Sequence, residues 1–127
     1  MSDMVDWEPI SESALVARIE QGRARMPEAH RRLWDSIRIP PERWQQHPYG
    51  DAGGGFWAVG LIGRIVVWYN DIEDGFNRSV YSTYGVIDDY WRNDDELDVT
   101  IGYVADSLAG EPDLLEVVAR FRRDTKR

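Results

Sequence analysis

Gly63-Arg64 divides the densest apolar run of the chain, FWAVGLIGRIVVWYN at residues 56–70, into two stretches rich in Val, Ile, Trp and Tyr. Residues of that kind suit a pleated, half-buried surface. A glycine at the first central position is what a two-residue type II′ turn needs, because φ is positive there. The pattern predicts a β-hairpin in which Ile62 faces Ile65, Leu61 faces Val66, Gly60 faces Val67, Val59 faces Trp68 and Ala58 faces Tyr69. Both faces of such a pair are apolar, so each needs a cover. The hairpin therefore belongs at the centre of a sheet, with helices on at least one face.

The run then turns acidic. Asn70, Asp71, Glu73, Asp74 and Gly75 form a loop at the strand end, where a rigid scaffold can present side chains. Phe76 to Tyr84 alternates, with Phe76, Arg78, Val80, Ser82 and Tyr84 on one side. Asn77, Ser79, Tyr81 and Thr83 make up the other, a polar set expected on a solvated face of a third strand. Val86 to Trp91 fits a helical turn or a brief strand.

Helices flank this centre. Ser11 or Ser13 caps a first one running to about Met26, because Leu15, Ile19, Gly22 and Met26 fall on one stripe. Pro27 suits the first turn of a second, whose face is His30, Leu33, Trp34 and Ile37 and whose stop is Pro40-Pro41. Pro41 to Trp44 can start one more helical turn. Asn93 with Glu96 three residues on reads as a capping box, followed by the stripe Leu97, Ile101, Val104, Ala105 and Leu108 up to Gly110. A last helix is expected from Pro112 to about Asp124. The expected fold is a single α+β domain over 1–127, with a central antiparallel sheet of three or four strands, two N-terminal helices and two C-terminal helices.

Charge bears on partners. The net charge is −8, and residues 51–112 alone carry twelve acids against three bases. Such a field repels nucleic acid and anionic lipid and steers a basic protein towards it. Cysteine is absent, which excludes disulfides, thiol nucleophiles and Cys-ligated metals and suits a reducing cytoplasm. MSDMVDWEPISES has neither a basic n-region nor an apolar h-region, so no signal peptide is expected.

Several chemistries fit badly. Gly53-Gly54-Gly55 lacks the Lys-Ser/Thr ending of a phosphate loop and precedes a strand. With Gly75 in the glycine position of a calcium loop, Ile72 falls where an acid is needed and Tyr81 where Glu is needed. His30 sits on an apolar stripe, and His47 in the loop before Gly50 has no evident partner. Carboxylate pairs such as Asp88 with Asp89 are plentiful, but a chain this acidic supplies them by number. No catalytic residue, metal site or cofactor is assigned. Trp57 and Trp68 are expected in the core, whereas Tyr81, Tyr84, Tyr90 and Trp91 are expected to be partly exposed beside acids.

The segment MPEAHRRLWDSI followed by IPPERW, a glycine-rich approach and a central hairpin resembles SMI1/KNR4-type proteins, many of which are bacterial immunity proteins. The block GFWAVGLIGRIVVWYNDIEDGFNRSVYSTYG is similar to a run found in small bacterial proteins. The resemblance implies a stoichiometric binder of a toxin. The leading expectation is a non-catalytic cytoplasmic protein-binding module, with Asp71, Glu73, Asp74, Asp88 and Asp89 in one negative patch beside Tyr81 and Tyr90. The alternative is a small-molecule or metal-binding protein, or a minor enzyme. Its pocket would lie between the Gly53–Gly55 and Asn70–Gly75 loops, lined by Trp57, Asn70, Asp71 and Tyr84. A homodimer through the third strand is a further option.

Overall fold

In a computed structural model the described residues are 8–110, and they form three helices and one antiparallel sheet. Helices α1 (Glu12–Arg25) and α2 (Glu28–Ile37) precede strands β1 (Arg38–Trp44), β2 (Phe56–Ile62), β3 (Ile65–Asn70) and β4 (Gly75–Val80). Helix α3 (Leu97–Gly110) follows. The strands lie in the order β1-β2-β3-β4, so the hairpin is indeed central. Two helices thus stand before the sheet and one after it; the helix expected from Pro112 lies outside the described residues.

The turn has the expected sign, with φ 59° at Gly63. The register holds for Ile62–Ile65, Leu61–Val66 and Gly60–Val67, then slips by one, so that Ala58 faces Trp68 and Trp57 faces Tyr69. A bulge at Val59 is responsible. In an unbroken register Val59 would share the face of Trp68, whereas the extra residue turns it to the helix side with Val67.

Each face has its own core. On one side Leu15, Ile19, Trp34, Ile37 and Ile101 from the helices close over Val59, Val67, Tyr69 and Phe76. On the other, Trp44, Phe56, Ala58, Val66 and Trp68 are closed by Ile87. Fully burying aromatic and branched side chains contributes about 1.5–3 kcal/mol each, so both covers stabilise the hairpin. The second cover is irregular chain, residues 81–95, and not a helix.

Three expectations are corrected here. Pro41 to Trp44 belongs to strand β1, which brings the sheet to four strands, and does not start a helical turn. Proline is tolerated because β1 is an edge strand and its pairing with β2 is irregular between Arg38 and Glu42. Asn77 and Ser79 are 1% and 4% exposed, so the polar face of β4 is buried. The carbonyls of the covering chain are the reason: Asn77 Nδ2 donates to Asn93 O at 3.0 Å and Ser79 Oγ to Asp89 O at 2.7 Å. Finally, α3 begins at Leu97 and not after Asn93. Asn93 N–H donates to Asn77 Oδ1 at 2.9 Å and Asp95 O accepts from Phe76 N at 2.8 Å, which holds this stretch in an extended form.

Candidate functional site

The β3–β4 turn is organised by Asn70, which is fully buried. Its Oδ1 accepts from the N–H groups of Ile72 and Glu73 at 2.9 and 3.2 Å, and its Nδ2 donates to Trp91 O at 2.9 Å. The left-handed residue of the turn is Asp74 at φ 63°, not Gly75. Asn70 thus orders the acidic turn and tethers the covering chain with one side chain.

The acids of this turn do not share one environment. Asp71 points inward: its Oδ2 accepts from Ile10 N at 2.5 Å, while its Oδ1 is buried without a partner among the described residues. Desolvation pushes its carboxyl up to about 6, against the lowering effect of the Ile10 N–H and Arg43. Asp74 is held by the Tyr69 hydroxyl and by Arg18 at 2.7 Å, both of which keep its carboxyl low. Arg18 also donates to Tyr69 at 2.7 Å and reaches Glu96 at 3.4 Å, so it joins α1, β3, the turn and the start of α3. Glu73 alone of the three is exposed with its carboxylate free of such ties among the described residues.

The remaining predicted residues divide as well. Asp88 and Asp89 are exposed; Asp88 accepts from Ser82 Oγ at 3.0 Å. Tyr90 is half-buried, stacked on Tyr49 with centroids 4.0 Å apart, and Glu73 lies close enough for its charge to act on the Tyr90 hydroxyl. Tyr81 is half-buried too, with its ring edge-on to Trp44 at 5.0 Å and its hydroxyl on Gly63 O at 3.1 Å. Tyr81 therefore braces the hairpin turn. Of the predicted acids, Glu73, Asp88 and Asp89 are exposed with no arginine partner among the described residues, whereas Asp74 is exposed but paired with Arg18.

The four residues named for the alternative pocket do not share one face: Trp57 and Asp71 both bond the Ile10 main chain, but Tyr84 does not join them. Trp57 packs with the helix-side core, donating from Nε1 to Ile10 O at 3.0 Å under the guanidinium of Arg43 at 4.9 Å. Tyr84 lies on the other face, against Trp44 at 4.9 Å and Glu42 Oε1 at 2.6 Å. Arg43 Nη2 holds the carbonyls of Gly53 and Gly55 at 2.5 and 2.6 Å, so that loop is tied to β1. His47 pairs its Nδ1 with Asp51 Oδ2 at 2.6 Å, exposed. His30, half-buried, reaches the α3 backbone, its ring carbon 3.8 Å from where a side chain at Gly102 would begin.

A cavity of about 330 Å³ opens elsewhere, beside β4, lined by Ile65, Arg78, Ser79, Val80, Asp89, Trp91 and Asn93. Trp91 is 51% and Val80 43% exposed. Of these seven residues only Asp89 is among the predicted site residues, although the partial exposure of Trp91 was expected from its acidic neighbours. Arg78, Val80 and Asn93 were missed because their role comes from the strand edge, which no local pattern marks.

No family model, curated protein or solved structure matches this chain. Its reading therefore rests on its own geometry. Among the described residues there is no helix long and apolar enough to cross a membrane and no group of three or more His, Asp or Glu placed to hold a metal ion.

Asp71 gives a pH signature. Its folded carboxyl keeps its proton up to about 6, above the ordinary 3.8, so between these values the folded state binds more protons than the unfolded state. Raising the pH through this window therefore costs stability. Asp71→Asn keeps an acceptor for Ile10 N–H without the charge. It is expected to be more stable than wild type at pH 7 by on the order of 1 kcal/mol, after discounting for the water that reaches the site, and equal to it near pH 4. Melting temperatures of both proteins from pH 4 to 8 check this; parallel curves would contradict it.

Proposed function

We propose that the protein is a non-catalytic protein-binding module whose acidic flank engages a basic partner. One observation carries the reading: the covering chain lays a half-exposed tryptophan, Trp91, beside a cavity whose wall includes the acid Asp89. Residues 86–95 hold Asp88, Asp89, Asp94 and Asp95 against the single base Arg92. An aromatic anchor in a pocket with a charged rim is the arrangement that protein interfaces use. Following the SMI1/KNR4-type resemblance, the partner is a toxin that the module neutralises by stoichiometric binding in the cytoplasm. Of the predicted acids, those that matter are Glu73, Asp88 and Asp89, exposed and without an arginine partner among the described residues, since Asp71 and Asp74 serve the fold.

The test is a charge-neutral variant, Glu73→Gln/Asp88→Asn/Asp89→Asn, compared with wild type for association with a protein captured from the parent cell and identified. Steering by a charged rim acts mainly on the on-rate. At low salt the variant should associate about tenfold more slowly, with the two rates converging once ionic strength shortens the Debye length to about 3 Å. Equal rates and equal salt dependence would sink the proposal, as would a failure of wild type to retain any protein better than the variant.

A further inference from the structure

Among the described residues, the last strand of the sheet has an edge that is only partly covered. Tyr81 N–H donates to Arg64 O at 2.9 Å, which sets the phase of the β3–β4 ladder. In an antiparallel pair the bonded positions alternate, so Asn77 and Ser79 spend their main-chain groups on β3 while Phe76, Arg78 and Val80 turn theirs outward. Phe76 is satisfied: its N–H reaches Asp95 O at 2.8 Å and its carbonyl accepts from Thr100 Oγ1 at 3.3 Å. Arg78 and Val80 have no such partners among the described residues. Proteins usually blunt an edge of this kind with cover, charge or proline. Among the described residues that cover stops at Phe76, and the charge on the strand, Arg78, lies with its guanidinium over the Tyr103 ring at 5.3 Å.

We propose that this edge takes an extended segment of a basic protein as an added strand. The inference rests on the protein-binding reading and specifies how the partner docks. Two outward donor-acceptor pairs, at Arg78 and Val80, sit two residues apart, which is the repeat a strand presents along its own edge. The cavity alongside offers Ile65, Val80 and Trp91 to an apolar side chain. Asp89 in its wall, with Asp88, Asp94 and Asp95 on the same covering chain, suits a lysine or arginine at a neighbouring position. A second copy of this chain fits worse, because two molecules of net charge −8 would bring the same acidic run against itself.

The probe is a capped heptapeptide alternating lysine and valine, titrated into the full chain while amide exchange is followed by NMR. A twin peptide is N-methylated on the amides of one edge, and a third on those of the other. Binding should slow exchange of the Arg78 and Val80 amides about tenfold or more, and one of the methylated twins should bind about tenfold more weakly. Val80→Pro removes an outward donor that β3 does not use, so it should weaken binding by a similar factor while keeping the wild-type melting temperature. Trp91→Ala, at an exposed site, gives a second measure in case the proline variant fails to fold.

Three results overturn the proposal: no binding at millimolar peptide, binding that leaves both amides unprotected and both methylated twins as tight as the parent, or protection that appears without peptide as the chain dimerises with concentration. If a captured basic protein shows the salt-dependent association of the preceding section while Arg78 and Val80 stay unprotected, the functional reading stands and only this docking mode fails. If the peptide protects both amides but Glu73, Asp88 and Asp89 prove irrelevant, the edge stands and the acidic-rim reading fails.

Discussion

Gly75→Ala is expected to lower stability by about 3 kcal/mol or more, read as a fall in the denaturation midpoint at unchanged slope. A Cβ at this position would lie 2.7 Å from Asp95 N and closer still to Cα and the carbonyl carbon of Asp94. Those atoms are backbone, so no rotamer change relieves the overlap. The covering chain would have to lift from β4, breaking the Phe76–Asp95 bond and disturbing the Asn77–Asn93 pair. The conformation of Gly75 itself carries no penalty for alanine, since its φ is not positive. The loss is therefore a direct measure of how closely residues 94 and 95 cross the strand, and a cost below about 1 kcal/mol would show that they do not.

Asn70→Ala is expected to cost about 3 kcal/mol, on the order of 1 kcal/mol for each of the three hydrogen bonds it removes. Two of these hold the acidic turn and the third holds Trp91 O. Asn70→Asp separates them, because a carboxylate keeps the oxygen that accepts both turn N–H groups, loses the donor and sets an oxygen against the Trp91 carbonyl. It should leave the turn amides protected from exchange and release those of the covering chain around Trp91. Both variants should also weaken any partner that uses the cavity beside β4. Wild-type stability and exchange in both would show that the turn and the covering chain are held by other contacts.

These substitutions act on contacts with distant backbone, which local pattern does not reveal. The Asn93–Glu96 run has the residues of a capping box, yet Asn77 and Phe76 take its main-chain groups first and the helix waits until Leu97. Asn77 and Ser79 look like a wet face because they are polar, but the covering chain brings carbonyls that need buried donors, and these two side chains supply them. Pro40-Pro41 reads as a helix stop, and α2 does end at Ile37, but β1 also continues through it, since an edge strand whose pairing is irregular there loses little when two N–H groups are missing. The inward turn of Asp71 follows from Ile10, sixty-one residues away, whose N–H needs an acceptor.

Local chemistry alone determined the hairpin, its Gly63 turn, a serine cap at Ser11 or Ser13 and the apolar stripes of α1, α2 and α3. Each depends on residues within a few positions of one another, where φ preferences and the 2.0 and 3.6 periodicities act. Tertiary structure alone decided the Val59 bulge, the fate of each acid and the partly covered edge at Arg78 and Val80. Those depend on which distant backbone groups arrive needing a partner, and on where the covering chain stops. Neither is written in the neighbourhood of the residues it governs.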